Sequence, residues 1–180
     1  MNTWIALFRG INVVGNNILP MKELKTLLEQ KQCVDVQTYI QSGNVVFRSR
    51  LADAARVERR LADAIAKARG FEPRVMALKP RELERGAAGN PFPQAGATPA
   101  CVHLFFLDAS PSRPDIDGLD AIRTATERYS LKGRVFYLYT PDGFGPSKLA
   151  KRAERLLGVA ATARNWRTVT TLIEMAKPYG

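Results

Sequence analysis

Along residues 3–78 the apolar side chains switch between the two-residue period of a strand and the longer period of a helix. The order of the switches is strand, helix, strand, strand, helix, strand. TWIALFR (3–9) is an unbroken apolar run, the mark of a buried strand, and GINVVGNN (10–17) is a loop rich in Gly and Asn. Pro20 suits a first helical turn. Met21, Leu24, Leu27 and Leu28 follow at helical spacing and predict a helix over 20–31. VDVQTYIQ (34–41) alternates, with Val34, Val36, Thr38 and Ile40 on one face, and NVVFR (44–48) places Val45 and Phe47 together. An even-length turn keeps these two apolar faces in register. A two-residue turn at Ser42-Gly43 pairs Ile40 with Val45 and Thr38 with Phe47. Val57, Leu61, Ile65 and Ala68 stripe a helix over 52–69 that Gly70 ends, and EPRVMAL (72–78) is a fourth strand.

This order is that of the split βαβ, ferredoxin-like plan, in which two helices cover one face of an antiparallel sheet. The second half repeats it. CVHLFFL (101–107) reads as a buried strand, Ile116, Leu119, Ile122 and Ala125 as a helix, and ERYSL (127–131) with RVFYLY (134–139) as a hairpin turning at Lys132-Gly133. Leu149, Ala153, Leu156 and Leu157 define a helix ended by Gly158. VAATA (159–163) is a short last strand, and a final helix starts at Asn165. The expected fold class is therefore α+β: two ferredoxin-like (βαββαβ) units, each an antiparallel sheet with helices packed on one face, plus a C-terminal helix. The expected domains are residues 1–88, a Gly-, Pro- and Ala-rich linker at 89–100, and 101–180 with the C-terminal helix.

The formal net charge is +10, shared between both halves, and such an excess favours anionic partners, either a small molecule or nucleic acid. Solubility charge is the plainer explanation. No apolar run is long enough to span a bilayer, and MNTWIALFRG lacks the basic start of a signal peptide, so no membrane partner is expected. Cys33 and Cys101 make no disulfide framework, which points to the reducing cytoplasm. They form no CxxC pair, and His103, the only histidine, lies in an apolar strand. No metal site and no cofactor are expected, and a histidine-based triad has little to build on.

Three stretches offer binding chemistry. In the split βαβ plan the first and third strands are antiparallel neighbours, so the end of the first lies beside the start of the third. That juxtaposition gathers Arg9, Gly10, Asn12 and Gly15 with Gln41, Ser42 and Asn44 on one rim. The same polar groups also serve to pair loop backbone. GFGPSK (143–148) lacks the spacing of a phosphate loop and reads as a Ser147 helix cap after Pro146, but Ser147 and Lys148 at a helix N-terminus also suit an anion. Lys148, Lys151, Arg152 and Arg155 share one face of that helix. In TARNW (162–166), Asn165 caps the last helix, while Arg164 and Trp166 offer a charge and a stacking wall. Tyr137 and Tyr139 alternate with Phe136 and Leu138 as an exposed pair on which bases could stack, although the RNA-binding signature of Gly and paired Phe is missing.

LFRGINVVGNN, TYIQSGNVVF, NPF (90–92), GPSKL and TARNW, in that order, resemble the domain of unknown function family 1697 over residues 7 to 170. The resemblance implies an α+β fold of this size and a bacterial source, and brings no activity, cofactor or substrate with it. The family's first loop commonly reads INVGG. Here Val14 replaces a glycine, which makes a backbone cradle at that position doubtful. Three functions follow as expectations: a basic binding module for a phosphate-bearing ligand, nucleotide or nucleic acid; an enzyme on a small phosphorylated or carboxylated substrate; or a structural protein that associates through a sheet edge. The first is favoured.

Overall fold

The structure, a computed structural model, describes residues 1–13 and 15–179, so the expectation for Val14 falls outside the described residues. The first half runs β1 (Asn2–Arg9), α1 (Met21–Gln30), β2 (Val34–Tyr39), β3 (Asn44–Ser49), α2 (Ala54–Arg69), β4 (Arg74–Leu78) and α3 (Pro80–Ala88). The second runs β5 (Val102–Leu107), α4 (Ile116–Ile122), β6 (Arg128–Lys132), β7 (Val135–Tyr139), α5 (Lys148–Leu157), β8 (Ala161–Asn165) and α6 (Trp166–Ala176). The sheets are ordered β2-β3-β1-β4 and β6-β7-β5-β8, the same ferredoxin-like order twice. The chain divides into two compact units, Met1–Glu84 with Thr171–Gly180, and Arg85–Thr170. The segment 89–100 lies in the second unit and carries a 3₁₀ turn at Pro93–Ala95.

Strand alternation decides what each sheet buries. In the first unit Trp4, Ala6 and Phe8 of β1 face inward with Val45, Phe47, Val75 and Ala77, and Leu24, Leu28, Val57, Leu61 and Ile65 cover them from the helices. The opposite face is buried too: Ile5, Leu7 and Val46 are fully shielded. Tyr179 lies on this face, where the Thr3 hydroxyl donates to its carbonyl (2.8 Å) and Gln37 Nε2 donates to its hydroxyl (2.7 Å). In the second unit Phe105, Leu107, Phe136 and Leu138 pack against Leu149, Ala153 and Leu157 of α5. Tyr137 points to the other side, 2 % exposed, and its hydroxyl donates to the Gly86 carbonyl at the end of α3 (2.8 Å). The exposed pair expected at Tyr137 and Tyr139 is therefore corrected. Tyr137 is buried beneath α3, and Tyr139 is half-buried beside Phe92.

The helix signals work as their chemistry dictates. Asp53 caps α2 by accepting from Arg56 N–H, and Gly70 and Gly158 end α2 and α5 in the left-handed region. The β2–β3 turn differs from the two-residue form. Tyr39 pairs with Asn44, which leaves four residues, Ile40 to Gly43, in the turn. The even length keeps the two apolar faces together, but the expected partners are corrected: Thr38 pairs with Val45 rather than with Phe47, and Ile40 falls within the turn. Ile40, expected on the apolar face, is exposed at φ 48°. Val34 is exposed because the register slips between Val34 and Gln37, where Asp35 adopts φ 53° and its carboxylate accepts from Arg48 (Nε, 2.6 Å). The β6–β7 turn is two residues, Gly133 and Arg134.

Candidate functional site

The end of β1 and the start of β3 do meet. Leu7 is the register partner of Asn44, and Phe8 N–H donates to the Gly43 carbonyl (2.8 Å). The second unit has the equivalent bond, Leu107 N–H to the Arg134 carbonyl (2.9 Å). At this corner Arg9 is exposed opposite Arg74. Asn12 (φ 52°) donates through Nδ2 to the carbonyls of Leu19 (2.9 Å) and Gln41 (2.8 Å) and accepts from Leu19 N–H (2.8 Å), tying the loop to the turn. Asn44, fully buried, donates to the Tyr39 carbonyl (3.1 Å) and the Ser42 hydroxyl (2.9 Å). Asn17 Nδ2 donates to the carbonyl of Gly10, which has φ 84°, and Gly15 at φ 79° turns the loop tip. These amides hold the hairpin apex against the first loop. Gln41 and Ser42 face solvent.

The remaining candidates belong to the second unit. Ser147 is buried and caps α5 by accepting from Ala150 N–H (3.1 Å), while Lys148, Lys151, Arg152 and Arg155 form the exposed face of that helix. Asn165 accepts from Thr168 N–H (2.9 Å) and caps α6, with half-buried Trp166 next. Arg164 is half-buried and donates to the Ala163 carbonyl (2.8 Å). Burial pulls its guanidinium down to about 10, so it stays charged at neutral pH. His103 links the two stretches: it is Asn165's register partner and stacks on Phe144, the ring centroids 3.9 Å apart. It is 9 % exposed, its Nδ1 has no hydrogen-bond partner, and burial pushes it down to about 4, so it is neutral at pH 7.

Each unit also carries a cleft that follows from its topology. In the first unit α1 and α2 run antiparallel, and Glu23 in the first turn of α1 accepts from Arg69 in the last turn of α2 (Nε, 2.6 Å). The opposite ends therefore also meet. There the end of α1 and the first half of α2 enclose a cleft of about 480 Å³ lined by Gln30, Lys31, Gln32, Arg56, Arg59, Arg60 and Asp63. Among the described residues none of its four cations is ion-paired. Arg60 also acts on buried Cys33, whose thiol burial pushes up to about 11 with the guanidinium opposing. In the second unit Asp115 N–H, at the start of α4, donates to the Leu156 carbonyl near the end of α5 (2.8 Å), so the same juxtaposition recurs. A cleft of about 450 Å³ lies between the end of α4 and the start of α5, lined by Arg123, Glu127, Asp142, Ser147, Lys148 and Arg152 among others. Glu127 is 3 % exposed and accepts from Thr124 N–H (2.9 Å). Asp142 accepts from the Thr126 hydroxyl (2.5 Å). Of the sequence-derived candidates, the second cleft takes in Ser147, Lys148 and, from the basic face of α5, Arg152. The first takes in none.

The sequence signal for the first cleft was the triplet Arg56, Arg59 and Arg60 at helical spacing. The contribution of Lys31, twenty-five positions before Arg56, comes only from the antiparallel packing of α1 on α2. Among the described residues no His, Cys, Asp or Glu cluster is placed to hold a metal ion, and no helix is long and apolar enough to cross a membrane.

Two repeated sheet orders, repeated closing hydrogen bonds and repeated inter-helix clefts define a duplicated ferredoxin-like α+β protein. Residues 1–137 match the family described as protein of unknown function (DUF1697), and the chain belongs to that family. In fold it is similar to the conserved bacterial protein SP0830 from Streptococcus pneumoniae. The TM-score is 0.69 at 23% identity, over 96% of this chain and 97% of that one. No curated protein matches the chain.

Proposed function

We propose that this protein binds a small phosphate-bearing anion, and that the cleft between α1 and α2 is where it does so. The observation that carries this reading is the convergence of Lys31, Arg56, Arg59 and Arg60, none ion-paired among the described residues, on one concavity of small-molecule size. Four cations gathered beside a single carboxylate repel one another, and an anion relieves that repulsion while accepting the forked donors of arginine. Nucleic acid is the weaker form of the reading. RNA-binding ferredoxin-like domains stack bases on the free sheet face, and here that face is buried in both units, at Ile5, Leu7 and Val46 and at Leu104 and Tyr137. The free cysteines Cys33 and Cys101 support a place in the reducing cytoplasm.

Titration of the full chain with pyrophosphate at low and high salt tests the reading. Affinity is expected to fall steeply with salt, and the double variant Arg59→Ala, Arg60→Ala is expected to bind at least about tenfold more weakly. Absence of binding at low salt removes the proposal.

One observation favours a second reading, catalysis in the second unit's cleft. There the buried Glu127 carboxylate shares a cavity with Lys148 and Arg152, so an acid–base group and anion-holding cations face the same space. Turnover of a phosphorylated substrate that Glu127→Gln abolishes would support it. A chain inert toward a panel of phosphoesters counts against it.

A further inference from the structure

We infer that the cleft between α1 and α2 is built for linked phosphates, two or more in a row, rather than for a single phosphate or a carboxylate. The inference rests on the anion-binding reading and narrows its ligand class. Charge is the first ground. Four cations and one carboxylate line the cleft. A single phosphate group brings about −1.5 to −2 of charge and leaves part of that excess unanswered. A second linked phosphate matches it.

The placement of the donors is the second ground. Arg56 and Arg60 stand four residues apart on α2 and Arg56 and Arg59 three apart, so their Cβ atoms lie about 5–6 Å from one another along one helix face. Forks spaced in this way engage successive anionic groups better than they converge on one. Lys31 meets them from the end of α1 as a compact charge on a flexible stem, flanked by the amides of Gln30 and Gln32. Asp63, one turn beyond Arg59 and Arg60, repels phosphate and accepts from hydroxyl or amine donors. It marks where the phosphate run stops and a donor-bearing group attached to it begins.

The backbone at Gln32 is the third ground. Cys33 N–H donates to the Leu28 carbonyl (3.1 Å) and Gln32 N–H to the Glu29 carbonyl (3.0 Å), the paired bonds of a glycine-type helix ending. Gln32 holds the left-handed position of that motif, at φ 63°, where glycine is the favoured residue. The chain accepts this strain, and in return an amide side chain lines the cleft.

The test compares orthophosphate, pyrophosphate and tripolyphosphate on the full chain by calorimetric titration and by the shift in unfolding temperature. Pyrophosphate is expected to bind at least about tenfold more tightly than orthophosphate, with tripolyphosphate no weaker. Gln32→Gly is expected to fold at least as stably and to weaken pyrophosphate several-fold. Arg59→Ala is expected to cost pyrophosphate more than orthophosphate. Lys22→Ala removes one charge from α1 outside the cleft and is the control, expected to bind like the parent. Equal affinity for orthophosphate and pyrophosphate overturns the linked-phosphate inference and leaves the anion reading standing. Lack of binding by all three overturns both. Equal losses in Arg59→Ala and Lys22→Ala overturn the assignment to this cleft.

Discussion

A Cβ added at Gly43 would come within 2.5 Å of Ile11 Cδ1 and 2.7 Å of Phe8 Cβ, and the residue's φ of 73° lies where side chains are strained in any case. Gly43→Ala is therefore expected to cost about 3 kcal/mol, read as a lower urea midpoint with an unchanged slope. An undiminished midpoint would show that the hairpin apex does not press on the first loop as described. Gln32 is the reverse case. Its left-handed backbone has space for a side chain but is easier for glycine, so Gln32→Gly is expected to raise stability by about 1 kcal/mol. A residue kept against its own conformational preference is a pointer to use rather than to folding. Gly43 was legible in the sequence because turn chemistry is local. Gln32 was not, because nothing in KQC reveals that the chain turns left-handed there or that Arg60 lies nearby.

At the scale of elements, caps and stripes were legible and lengths were not. Ser147 and Asn165 cap the helices their sequence context predicts, and the apolar stripe of α5 is buried as its spacing requires. The β2–β3 turn took four residues because Asn44 and Asn12 satisfy its carbonyls from the side, at Tyr39 and Gln41, a support no residue pattern within the turn announces. The basic stripe of α5 begins directly at a capped helix N-terminus, which is a local signal, whereas Glu58 stands among Arg56, Arg59 and Arg60 of α2. Strand β5 carries a prediction of its own. His103 is buried against Phe144 and is held down to about 4, whereas the unfolded imidazole takes its proton near 6.5. The unfolded chain therefore binds more protons between these values. His103's contribution is full above pH 6.5 and is lost as pH falls toward 4, by roughly 3 kcal/mol in all. Urea unfolding at pH 7 and pH 4.5 should show most of this loss, and His103→Gln should show much less of it. Equal pH dependence in the two proteins would refute the burial account.

For the whole molecule, the chain begins and ends in one unit. β1 and residues 171–180 both belong to the first unit, although the entire second unit is threaded between them. Tyr179 makes this closure concrete. Its carbonyl accepts from Thr3, its hydroxyl accepts from Gln37, and the Arg48 guanidinium carbon lies 5.5 Å from its ring centroid. All three partners project from the sheet face that also carries Ile5, Leu7 and Val46, so Tyr179 sits on that apolar side of the four-stranded sheet. Tyr179→Ala removes the hydroxyl acceptor and the ring but keeps the backbone carbonyl that Thr3 uses. The lost hydrogen bond and cation–π contact together predict a cost of about 1–2 kcal/mol. The cost should fall on one unit. Hydrogen exchange is expected to quicken in β1 and β3, where Thr3 and Arg48 are register partners, and to stay slow in β5 and β7. Uniform acceleration across both sheets would mean that the two units unfold as one. No change in β1 and β3 would mean that the chain's end contributes nothing to the face it covers.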